Sequence, residues 1–281
     1  MSLPATLKHL LTIRNPNPLP GPSLRRLSAA LSTTLTEAQT RSVEDGWLAI
    51  ATATFLSVNS PASVTNLYRF VSRREAESPE SLLRLEERAE KATLMRETSL
   101  KCVTFVGVPK VINSLASLTQ ALETDVRDVL EKRPLRTIAN NDMAELSSRG
   151  LKLFKSIYDP HTEKLLTKLG SYHPDFPAII LQHEYGALLA DPAQWPSLGR
   201  VGRTLTSAAG VACLRAAGGV GPQLTSHVYG LLKARGFDEA DAKVEWLASE
   251  EGATWVINTV DRFCDLMTET EATELRGQSK L

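Results

Sequence analysis

The sequence predicts an all-α fold with at most a trace of strand, and three observations carry that expectation. Apolar residues recur at three- and four-residue spacing along most of the chain. No sustained alternation of apolar and polar residues occurs, and no Asn-Gly or Asp-Gly turn lies between two apolar runs. The chain has 281 residues and is 42% hydrophobic and 23% charged, enough to bury a core in one large domain or two modest ones. Its 32 Lys+Arg balance 32 Asp+Glu, which removes the broad positive field expected of a nucleic-acid binder.

Residues 1–36 contain no Asp or Glu and are rich in Leu, Ser, Thr and Pro, which superficially matches a mitochondrial transit peptide. The prolines between Pro4 and Pro22 oppose one long presequence helix, so the segment reads as an N-terminal arm with a helix starting near Leu24. Trp47 to Val58 (WLAIATATFLSV) is the longest apolar stretch. It is far short of the roughly 20 residues a bilayer span requires and reads as a buried helix, with no membrane anchor. In residues 81–100, Leu82, Leu85, Ala89, Ala92, Leu94 and Leu100 mark a helical stripe, with Ser81 as its cap after Pro79. Val111, Leu115, Leu118 and Leu122 mark the next helix. The polar, Pro-interrupted stretch 131–142 (EKRPLRTIANND) divides a first half, 37–134, from a second, 135–272. Helices are then expected over 142–157, 161–169, 176–190, 201–216, 222–235 and 238–249, before a polar tail, 273–281.

The two halves look like weak repeats. Arg96-Glu97 through Gly107 to Asn113 parallels Arg203-Thr204 through Gly221 to His227, with the same interval from glycine to polar residue. Cys102, Cys213 and Cys264 are odd in number and widely spaced, with no metal-ligand pattern, so a disulfide framework, a metal site and a resident cofactor are not expected. That points to a reduced, intracellular, soluble protein. Cys102 and Cys213 lie in apolar helices, either as small buried hydrophobes or as a candidate redox pair. The last three residues, Ser279-Lys280-Leu281, form the address read by the peroxisomal import receptor, which makes the peroxisome matrix the expected location and the mitochondrion the alternative.

Residues 149–247 resemble the carboxymuconolactone decarboxylase family of the alkylhydroperoxidase D-like superfamily. The matching features are Arg149-Gly150, the HPDFPAIILQHEYGALLADP stretch (173–192) with Tyr185-Gly186, then Leu198, Arg203 and Leu205. They end in GPQLTSHVYGLLKARG (221–236), which is similar to the family's Gln-Leu-x-x-His-x-x-Gly-x-Leu helix at Gln223, Leu224, His227, Gly230 and Leu232. The resemblance implies a fold built around a helical hairpin and a homo-oligomer, usually a trimer or hexamer, within which two degenerate halves act as a built-in dimer.

The chemistry that the resemblance implies transfers only in part. The peroxidase branch requires Cys-x-x-Cys-x-x-x-His, and those cysteine positions are Val220 and Gln223 here, so a CxxC thiol peroxidase is not expected. The decarboxylase branch requires an acid/base and a carboxylate clamp. His227 and Glu97 are the catalytic candidates, and Arg203, Gln223 and Tyr185 the substrate-binding ones, with Glu184 near the family's acidic position. Each has a plainer reading. His227 could simply bond between packed helices, Glu97 could form an ion pair, His173 and His183 fit capping or surface roles, and Gly218-Gly219 fits a turn. Two functions therefore compete: acid/base chemistry on a small carboxylated or oxidised metabolite, or a non-catalytic oligomeric structural or binding protein of the peroxisome matrix.

Overall fold

A computed structural model describes residues 2–13, 17–18, 21–137, 143–192, 195, 199–237 and 239–278. The tripeptide Ser279-Lys280-Leu281 and Leu198 lie outside the described residues. The principal helices are α1 (Leu24–Gln39), α2 (Glu44–Ser57), α3 (Pro61–Ser72), α4 (Leu85–Lys101), α5 (Val108–Ala121), α6 (Met143–Tyr158) and α7 (Thr162–Tyr172). A π helix (Ile179–Leu189) follows, then α8 (Arg203–Ala217), α9 (Gly221–Leu232), a 3-10 helix (Glu239–Ala248) and α10 (Glu250–Gln278). The protein is all-α: among the described residues the only β feature is one antiparallel bridge between Arg73 and Leu82.

Two helices form the axis of the main core. α2 carries no charge after Asp45 and is buried on every side from Gly46 to Ser57, as an all-round apolar helix must be. α8 packs along it and is buried from Arg203 to Leu214. α4 and α10 lie against this pair, and α3 and α5 pack together at one end. Trp47 reaches the core with its indole N–H satisfied by the Thr34 hydroxyl of α1 at 2.8 Å. Residues from both sides of 131–142 share this core, from Leu27 to Leu130 and from Val201 to Met267. A smaller cluster, Leu153, Phe154, Ile157, Tyr185 and Leu189, joins α6 to the π helix. Phe105, in the short helix Val103–Val106, packs against both clusters.

Three local expectations need correction. Ser81 does not cap α4, which begins at Leu85; its hydroxyl instead closes the preceding loop by bonding the Glu75 and Ser78 carbonyls at 2.8 and 2.9 Å. The N-terminal amide of α4 is held by Glu87, which accepts from the Arg84 backbone N–H at 3.1 Å. The stretch expected as helix over 176–190 is helical but mostly of π type, and in the one expected over 238–249 the described helix, Glu239–Ala248, is 3-10. The equal glycine-to-polar interval of the two halves does not give equal helix registers either. Gly107, at φ +80°, stands outside α5 as its N-cap, whereas Gly221 is the first residue within α9. Asn113 and His227 therefore differ by one helical position, about 100° of rotation.

Candidate active site

α6 and the π helix approach so closely that only glycine fits at two points. A Cβ on Gly150 would overlap the Leu181 carbonyl and lie 2.9 Å from the Gly186 nitrogen, and a Cβ on Gly186 would overlap the Leu146 carbonyl. This contact brings one tyrosine from each helix together: the Tyr158 and Tyr185 hydroxyls are 2.9 Å apart. The Tyr158 hydroxyl also lies 3.2 Å from Nε2 of His227, which α9 supplies. The three side chains form one hydrogen-bonded chain, Tyr185–Tyr158–His227. Phe105 stands edge-on to the imidazole, with ring centroids 5.2 Å apart. Gly210 of α8 leaves room behind it: a Cβ there would lie 3.3 Å from Nδ1 and closer still to Phe105.

The chain lies in the wall of a cavity of about 640 Å³, within the range of small-molecule sites. The floor comes from the π helix, whose five-residue hydrogen-bond span aligns Ile179 with Glu184 and Ile180 with Tyr185. Lys168, Gln223 and Ser226 supply further polar groups amid a mainly apolar wall. Glu184 accepts from the Thr104 hydroxyl at 2.6 Å.

Burial sets the protonation of this chain. His227 is pushed down to about 4 by loss of water and, secondarily, by the nearby Arg203 cation. It is neutral at physiological pH, and its Nε2 shares one hydrogen bond with the Tyr158 hydroxyl. Burial raises both phenols, so they remain donors at neutral pH. The folded imidazole titrates near 4 and an unfolded one near 6.5, so the unfolded chain binds more protons between those values. Stability should therefore fall as pH drops through that window, by roughly 3 kcal/mol at most. Urea melts of His227→Gln should show this part of the pH dependence flattened; an unchanged profile would count against a buried neutral imidazole.

The other expected site residues are distributed differently. Tyr185 and Gln223 line the cavity with His227, but Arg203 does not. Its guanidinium is used internally: Nε donates to Ser156 Oγ at 2.8 Å, NH1 to Ser207 Oγ, and NH2 to the Gly230 carbonyl at 2.7 Å. Arg203 thus ties α6, α8 and α9 together, and burial lowers it only to about 10, so it stays charged. Glu97 is also remote from the cavity; it is buried in an ion pair with Arg136. Cys102 and Cys213 do meet, with sulfurs 3.4 Å apart, well beyond the roughly 2.05 Å of a disulfide bond. Both are fully buried free thiols, and the Cys213 contact together with desolvation raises Cys102 well above its ordinary value, opposing thiolate formation. His183 is exposed, and His173 accepts from the Asp175 amide at a turn. Tyr158 carries the central hydroxyl of the chain. The only sequence signal for it was its place at the end of the α6 stripe, a position that fits packing equally well.

Among the described residues, no group of three or more His, Cys, Asp and Glu side chains is placed to hold a metal ion, and no helix is long and apolar enough to cross a membrane. The fold and the cavity define an all-α protein with a small-molecule-sized site lined by a neutral imidazole and two phenols. No family model, curated relative or solved structure matches the chain.

Proposed function

We propose that this protein performs cofactor-independent acid/base chemistry on a small carboxylated or oxidised metabolite held in the His227 cavity, in the manner of the carboxymuconolactone decarboxylase-like proteins its second half resembles. The observation that carries this reading is the Tyr185–Tyr158–His227 chain in the wall of a cavity large enough for such a molecule. A neutral imidazole whose Nε2 accepts from the Tyr158 hydroxyl can take a proton relayed through that hydroxyl from a substrate. Lys168 at the wall replaces Arg203 as the cation available to a substrate carboxylate. The buried thiol pair has no part in the proton path.

The test begins with a thermal-shift screen of carboxylic and oxo acids, followed by turnover of the hits. His227→Gln should reduce turnover by about 100-fold or more, and Tyr158→Phe by a smaller factor, while Cys102→Ala with Cys213→Ala keeps it. Loss of turnover in the cysteine variant with retention in His227→Gln would replace acid/base chemistry with thiol chemistry.

The same reading places the protein in the peroxisome as a homo-oligomer. Ser279-Lys280-Leu281 is the address, and the outer face of α5, with Val108 and Ile112 more than half exposed, offers apolar surface for a second copy. Removal of Leu281 should leave an N-terminal fluorescent fusion diffuse in the cytosol. Continued arrival in peroxisomes would show that the tripeptide is not the address.

A further inference from the structure

The His227 cavity does not end at Tyr158. A second cavity, of about 650 Å³, adjoins it, and Tyr158, Leu165, Lys168 and Ser226 line both. The two are chambers of one groove walled by α7 and α9. Leu165, Leu169 and Tyr172 of α7 line the His227 chamber, whereas His161, Lys164 and Lys168, at i, i+3 and i+7, line the outer one. Ser226, Tyr229 and Lys233 repeat that spacing along α9 and its C-terminal end.

The chambers differ in chemistry. The inner one is mainly apolar, with Phe105, Phe154 and Ile180 in its wall. The outer one has three ammoniums, Lys164, Lys168 and Lys233, and no carboxylate in its wall. Lys164 and Lys168 are exposed and make no hydrogen bond or ion pair with any described residue. Lys233 donates only to uncharged groups, the Ile157 carbonyl at 3.1 Å and the Asp159 carbonyl at 2.7 Å. The neighbouring carboxylates do not offset these charges by pairing with them. Asp159 and Glu163 are exposed and outside the wall, Glu184 lines only the inner chamber and holds Thr104, and Asp175 lies 3.9 Å from His173. Lys164 and Lys168 are also like charges one turn apart on a helix, an arrangement that an anion between them relieves.

We propose that the substrate of the His227 cavity is a two-part molecule, with a small organic head in the inner chamber and a phosphorylated tail on Lys164, Lys168 and Lys233. This rests on the reading of that cavity as the substrate site and adds what else the substrate carries. The outer chamber is as large as the inner one, so it takes a tail bulkier than a lone carboxylate. Its cations are ammoniums on flexible stems, point charges suited to phosphate, and the forked guanidinium that matches a carboxylate is missing from its wall. A phosphate monoester brings close to two negative charges at neutral pH against one for a carboxylate, and three unpaired cations favour the second charge.

The full chain is titrated by calorimetry with hexyl phosphate, hexanoate and pyrophosphate at one low ionic strength. Hexyl phosphate should bind once per chain, at least ten-fold tighter than hexanoate, and more weakly as salt is added. Two variants address the chambers separately. Lys164→Gln with Lys168→Gln, both at exposed positions, should weaken hexyl phosphate and pyrophosphate at least ten-fold. Ile179→Trp, which narrows the inner chamber from its exposed rim, should weaken hexyl phosphate several-fold and leave pyrophosphate unchanged. Lys132→Gln, outside both chambers, should change neither. Circular dichroism establishes that each variant is folded. No saturable binding of hexyl phosphate, no preference for it over hexanoate, or equal affinity in the wild type and the folded double-lysine variant would overturn the proposal. An unchanged hexyl phosphate affinity in Ile179→Trp would equally overturn the two-part ligand. Binding is read here and not turnover, so a failure of acid/base chemistry at His227 would leave these results as they are.

Discussion

Gly150→Ala is expected to lower the melting temperature by about 10 °C or more and to disconnect Tyr158 from Tyr185. The added methyl meets backbone, not a movable side chain: it would overlap the Leu181 carbonyl and crowd the Gly186 amide. Overpacking of this kind costs about 3 kcal/mol or more, because α6 and the π helix must separate bodily. For a chain of this size each kcal/mol moves the transition by about 2–4 °C. Gly170→Ala is the matched control. It lies in α7, where the new methyl would meet only Pro177 at an ordinary 3.5 Å, and it should be neutral or slightly stabilising. Thermal melts of the two variants decide the matter; equal melting would mean that the helices do not pack at this distance.

Lys101→Met should be comparably severe, costing about 3–5 kcal/mol in urea denaturation. The ammonium is fully buried and donates to Asp191, to the Val201 carbonyl at 2.6 Å and to the Thr206 hydroxyl at 3.0 Å. Methionine fills the volume but leaves Asp191 with one cation fewer and the Val201 carbonyl with one donor fewer. Adding Asp191→Asn should recover part of the loss by removing the under-compensated charge. A double variant as unstable as the single one would show that the charge balance is not what Lys101 provides.

The chain's own pattern disclosed the helices more fully than the site. α2 was legible because an apolar run too short for a membrane and free of strand alternation has one economical solution, a helix buried on all sides. α5 and α6 were legible from their stripes, and the Gly218-Gly219 turn from its composition, since both residues take positive φ. The loop before α4 was not, because Ser81 has the side chain of a cap and only the tertiary pairing of Arg73 with Leu82 assigns it to the loop. At the site, His227 and Tyr185 stood out by the company they keep in sequence. Arg203 and Glu97 stood out for the same reason, yet both spend their charge on internal bonds. Whether a buried charge faces a cavity or a carbonyl depends on helices far apart in the chain, so a local motif cannot express it.

The π winding between Ile179 and Leu189 makes chain length itself a determinant of the cavity. Each π turn accommodates about one residue more than an α turn, so a single-codon deletion in this stretch would let one of its turns tighten to α geometry without changing any other amino acid. The i, i+5 alignment that pairs Ile179 with Glu184 and Ile180 with Tyr185 would be lost, and Tyr185 would swing by about a quarter of a turn from Tyr158. Two chains differing only by that gap would be nearly indistinguishable by percentage identity and would present different floors to a ligand. In this segment an insertion or deletion carries more functional information than most substitutions.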